Sequence, residues 1–213
     1  MIINIVNASA VIVAQQFNPS IITQLWLVKN QILSEDDFRE GCISSPTVSQ
    51  INSREFSLLT LLDRLQFIPN DAAGENGNLV ITKLGSIVAR LPHTPYSGIG
   101  LNFTWHLDPE EKGVREFTKS TFYRETPLFR EFDAEDARYG GYLGKNALGC
   151  RLKLDIKPIT ISAPISKEYL QFAFNFHLDL TRENRVEEIL SLLNRWDEAK
   201  HLSSRIVKTV QGS

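Results

Sequence analysis

The amino-acid sequence predicts an α+β fold: a mostly antiparallel sheet, three or four helices, and a long amphipathic helix at the C-terminal end. Three observations carry this. Residues 99–107, 148–156 and 170–180 alternate apolar and polar side chains, the period of a strand with one packed and one polar face. Residues 185–210 instead repeat their apolar residues at helical spacing, with Val186, Ile189, Leu190, Leu193, Trp196, Ile206 and Val207 on one stripe. No long alternation of parallel strands with helices appears, which sets aside a doubly wound sheet.

Element by element, Ile2 to Ala14 is β-branched and apolar without strict alternation, as expected of a central strand buried on both faces. Asn18-Pro19 forms a helix-start pair, followed by Ile21, Ile22, Leu25 and Trp26 at helical spacing. Residues 34–46 read as an acidic loop or a short capped turn. Thr47–Asn52, Phe56–Leu62 and Arg64–Ile68 then read as short strands, although the Leu-rich run 58–62 also suits a helix. Gly74 and Gly77 mark a loop over 70–78, and Leu84, Ile87, Val88 and Leu91 mark a helix that Pro92 ends.

Residues 108–138 hold nine carboxylates and six bases, with a helix expected over 108–120 and a solvated loop over 125–136. Gly140 to Asn146 reads as a turn or bulge ahead of the next strand. Residues 158–168 are short enough to join the last two strands as an antiparallel hairpin. Asn184 and Glu187 form a capping-box pair before the terminal helix. With no repeat or long linker, the economical organisation is one domain over 1–213, any subdivision falling near 92–97. Two ferredoxin-like halves would satisfy the order of elements.

Composition excludes several classes. The chain has 213 residues, 23 Lys+Arg and 25 Asp+Glu, for a formal charge of −2. This length buries roughly 70% of the unfolded surface, so no disulfide framework is required. The balance opposes a surface built wholly for phosphate backbones. Cys42 and Cys150 are apolar in context and far apart, fitting a reducing, cytoplasmic setting. No apolar run approaches the ~18 residues of a membrane helix, so no membrane association is expected.

Catalytic and cofactor motifs do not emerge. His93, His106, His177 and His201 lie in four segments without metal-ligand spacing, so neither a metal nor another cofactor is expected. The Gly140-Gly141-Tyr142-Leu143-Gly144-Lys145 stretch ends like a phosphate loop but leaves three residues between Gly140 and Gly144, where that loop needs four. The Pro92-His93-Thr94-Pro95 turn reads as a rigid helix-to-strand connection.

One constellation remains. Strand parity puts Asn102, Thr104 and His106 on one polar face, Asn175, His177 and Asp179 on another, and Arg151, Lys153 and Lys157 on a third. Juxtaposed, these groups could bind an anion, a nucleic-acid strand or a protein. The expected function is therefore a non-catalytic cytoplasmic binding protein, a subunit or accessory factor of a larger assembly, with a protein partner or a second copy. Arg151, Lys153, Lys157, Asn102 and Asn175 are its binding candidates. A nucleic-acid-binding or processing module is the first alternative. A hydrolase or transferase using His106, His177 and Asp179 is the second. The acidic middle and the basic strand Lys145–Lys157, with four cations and one anion, predict a working surface where they meet.

Overall fold

A computed structural model describes residues 1–162, 166–181, 183 and 185–210. It confirms the α+β class. Nine strands form one antiparallel sheet in the order β2-β3-β4-β5-β1-β6-β9-β8-β7. They are β1 Ile2–Ala14, β2 Ile43–Ser44, β3 Ser49–Asn52, β4 Phe56–Thr60, β5 Arg64–Pro69, β6 Tyr96–Asp108, β7 Gly141–Ala147, β8 Cys150–Ile161 and β9 Lys167–Asp179. The helices are α1 Gln24–Lys29, α2 over 77–90, α3 Gly113–Phe122, α4 Pro127–Arg130, α5 Arg185–Leu193 and α6 Trp196–Thr209.

The element order repeats although the sequence does not. A long strand, a helix, a meander of short strands and a closing helix occupy 2–90; 96–209 repeats the succession with a helix pair at each helical position and a meander whose β8 and β9 are long, 12 and 13 residues. The halves join where β1 pairs with β6, from Ile2 opposite Asp108 to Ala14 opposite Tyr96. Each half is therefore a strand, helix, meander and helix. The ferredoxin-like order, in which a helix separates the last two strands, is not what forms, because β3, β4 and β5 run as consecutive hairpins.

All of the main packing is on one face. Ala8, Ala10, Ile12, Leu101, Phe103, Phe174, Phe176 and Leu154 point there and are buried. Trp196, fully buried at the start of α6, meets Phe103 edge-on at 5.0 Å. Trp105 Nε1 donates to Ser203 Oγ at 2.9 Å, fixing α6 over β6. Burying such aromatic rings supplies much of the fold's driving force, because their apolar area leaves water.

Several sequence expectations change here. The first strand is central, but it is not covered on both faces. A bulge around Val6 shifts its register between Ile5 and Asn7, so Ile3 and Ile5 share a face with Ala8, Ala10 and Ile12. Reversed parity, rather than two-sided burial, erased the alternation. The Asn18-Pro19 pair closes a local turn, with Asn18 Oδ1 accepting from Ser20 N at 3.2 Å, and α1 starts later behind the Thr23 cap. Residues 58–60 are strand. Gly141–Ala147 is an edge strand rather than a turn, since the chain passes straight into its pairing with β8. The terminal helix breaks at Asn194-Arg195 into α5 and α6. The Asn184–Glu187 capping box lies partly outside the described residues.

Candidate functional site

The three alternating strands are neighbours, in the order β6-β9-β8, so their polar positions form continuous rows. One row runs Ser9, Asn102, Asn175, Lys153 and Gly144. The next runs Gln50, Leu59, Gln66, Val11, Gly100, His177, Arg151 and Asn146 across eight strands. This is the face opposite the helices. Inward neighbours such as Phe174 and Leu154 are buried, whereas Asn102, Asn175, Lys153 and His177 are half-buried and Arg151 is exposed.

Contacts on this face are specific. Asn175 Nδ2 donates to Asn102 Oδ1 at 2.7 Å. His177 Nε2 lies 3.0 Å from Asp179 Oδ1, the reach of an oriented imidazole. Glycine opens the row beside them: a Cβ at Gly100 would lie 2.8 Å from Asn175 Nδ2, and one at Gly98 3.4 Å from the His177 ring. Asn102, Thr104, Tyr142, Lys153, Asp155 and Asn175 border a shallow cavity of about 290 Å³.

Charge on the face is partly neutralised. Lys157 pairs with Asp155 at 3.2 Å. Lys167 pairs with Asp108, whose hydrogen bond holds the lysine above its ordinary value. Arg151 and Lys153 reach no carboxylate among the described residues. They are the face's available cations.

All of the predicted binding residues thus share one surface, but the proposed catalytic group does not assemble. His106 is opposite Gln171, six positions along β9 from His177, or about 20 Å at a strand's rise. His106 instead stacks on Tyr169 at 5.6 Å and meets Gln171 Oε1 at 3.3 Å. A joint proton transfer by His106 and His177 is beyond hydrogen-bond reach, leaving only the His177–Asp179 pair as acid–base chemistry. Burial pushes the Cys150 thiol up, which disfavours a nucleophilic thiolate.

Among the described residues no ion pair joins the acidic middle to the basic strand. Residues 125–136 are held against α3, where Lys119 binds Asp133 and Arg115 donates to Ala134 O at 3.0 Å. Among the described residues, no cluster of three or more His, Cys, Asp or Glu suits a metal ion.

Sequence reasoning missed the first half's share of the surface: Ser9, Val11, Gln50 and Gln66. The alternation of Leu65 and Phe67 with Gln66 was a usable signal. Which strands it would join was not, since pairing across the β1–β6 seam is written nowhere in the local pattern. No protein-family model matches this chain, and no curated protein sequence is significantly similar to it.

Proposed function

We propose that the protein is a non-catalytic binding subunit that docks another protein on the helix-free face of its sheet. One observation carries the reading: the face is continuous across both halves and holds half-buried amides, Asn175 donating to Asn102, while Arg151 and Lys153 reach no carboxylate among the described residues. Such a surface offers oriented hydrogen bonding and electrostatic selection beside exposed apolar side chains such as Ile2, Val13 and Ile161, the mixed composition of a non-obligate interface. No helix among the described residues is long and apolar enough to cross a membrane. Both cysteines are free. Cys42 precedes β2 and Cys150 opens β8, seven strands away and about 34 Å apart by strand spacing, so they cannot bridge. This supports a reducing, cytoplasmic setting.

A second reading, nucleic-acid binding, draws on the same free cations. It is the weaker one because Phe103, Trp105, Phe172, Phe174 and Phe176 are buried on the helix side, leaving few rings to stack bases.

Affinity capture from the native host tests the proposal, comparing the wild-type bait with a Lys153→Glu/Asn175→Glu bait and with a Lys208→Glu control on the helix side. A protein retained by the wild type and the control, and lost with the double variant, is expected. Equal retention by all three baits, or a monomer by light scattering that retains nothing, rejects it. A salt-dependent shift of single-stranded RNA, abolished by the double variant, transfers the face to the second reading.

A further inference from the structure

The two edges of the sheet are built differently. At one end β2 has only two residues, Ile43–Ser44, and Pro46 stands two positions beyond it, a short and blunted edge. At the other, β7 runs seven residues with no proline and hydrogen-bonds only β8. Its outer row of backbone N–H and C=O groups is unpaired among the described residues, and Tyr142 to Asn146 are all exposed. Natural sheets seldom leave a long flat edge unguarded, because it is a template for another strand.

Side chains on both faces of this edge specify what would fill it. On the helix side, Leu143, Leu152, Leu154 and Ile206 border an open, mainly apolar groove of about 270 Å³, and Leu143 is 59% exposed. On the opposite face, Arg151 extends outward over β7: a Cβ at Gly144 would lie 2.9 Å from its Nη2, and its Nη1 donates to Asn146 Oδ1 at 3.3 Å. Gly144 makes room for the guanidinium to reach the edge. Lys145 stands beside the groove, and neither it nor Arg151 reaches a carboxylate among the described residues.

We infer that β7 is a strand-addition site for an extended protein segment that alternates aliphatic and acidic residues. A strand pairing about 4.8 Å beyond β7 directs alternate side chains to opposite faces. One set enters the Leu143–Ile206 groove, and the other carries carboxylates to Arg151. Backbone hydrogen bonds supply affinity and the alternating side chains supply selectivity. A second copy is a poor occupant. Two β7 strands pairing together would bring both Arg151 and both Lys145 side chains into proximity and add no carboxylate.

The test is fluorescence anisotropy with a labelled octapeptide alternating valine and glutamate. Saturable binding is expected, weakened roughly tenfold or more by Arg151→Glu and by Leu143→Glu in protein whose circular dichroism is unchanged. N-methylation of one alternate set of peptide amides abolishes binding, and methylation of the other set leaves it within about twofold, because only one set faces β7. Hydrogen exchange slows over 141–147. Equal affinity for a valine–lysine peptide, tolerance of methylation in both sets, or no binding up to about 1 mM overturns the inference. So does a dimer in light scattering that Leu143→Glu disrupts. The open-face reading stands or falls separately on its bait comparison.

Discussion

Lys200 is placed to hold the two halves of the protein together, and replacing it with methionine measures how much. The side chain is 8% exposed on α6, in the second half, and its ammonium donates to Ala73 O at 2.8 Å and Gly74 O at 2.6 Å in the first. The loop is closed by Asn76, which donates to Asp71 O and Gly74 O, while Asp197 Oδ1 accepts from Gly77 N at 3.2 Å. Burial draws the Lys200 ammonium below its ordinary value, with Asp197, Asp71 and Glu75 opposing that shift.

Lys200→Met keeps the length of the stem and removes the donor. Each hydrogen bond from a charged group contributes about 1.5–3 kcal/mol, and losing the ammonium also relieves its desolvation, so the net loss should be about 2–4 kcal/mol. For a chain of this size, 3 kcal/mol lowers Tm by roughly 6–12 °C. Urea unfolding followed by tryptophan fluorescence gives the free energy. Hydrogen exchange should quicken first at residues 71–77. A loss below about 0.5 kcal/mol, no larger than that of the exposed Lys208→Met control, would refute the clamp.

Two further outcomes follow from local packing. Burial pushes the Tyr96 hydroxyl up to about 12, with a hydrogen bond to Thr94 opposing. The unfolded chain then loses this proton near pH 10 while the folded chain retains it. The contribution is present below pH 10 and is lost as pH rises to about 12, up to roughly 2.7 kcal/mol. Denaturation at pH 9 and pH 11, with Tyr96→Phe as the reference, checks the sign; a stability gap that does not change between the two would count against it. At Gly140 a Cβ would lie 2.1 Å from the Ile156 carbonyl oxygen, a backbone atom that cannot swing aside. Gly140→Ala should therefore displace β7, costing about 1–3 kcal/mol and loosening the edge in hydrogen exchange. Unchanged protection over 141–147 would contradict that.

Local chemistry made much of this molecule readable. The alternation in β6, β8 and β9 announced both the strands and the orientation of each side chain: Phe103, Phe174 and Leu154 inward, Asn102, Asn175 and Lys153 outward. Period-two polarity is a property of one strand, so it survives being read alone. The β1 pattern was misleading because one bulged residue inverts the parity of everything after it. The Gly-rich β7 was misread because glycine signals a turn more often than an edge strand, and its partner lies on another segment.

What the sequence determined by itself was the class, the polar and apolar sides of the late strands, and the residues available to bind. The tertiary structure decided which of them are neighbours. It brought Asn102, Asn175 and Lys153 into one row and left His106 about 20 Å along the sheet from His177. It joined two halves of unrelated sequence through β1 and β6, and it left β7 rather than β2 as the long open edge. The reason is physical: hydrophobic period reports which side of an element is buried, whereas strand order comes from long-range pairing whose backbone hydrogen bonds are much the same for any sequence.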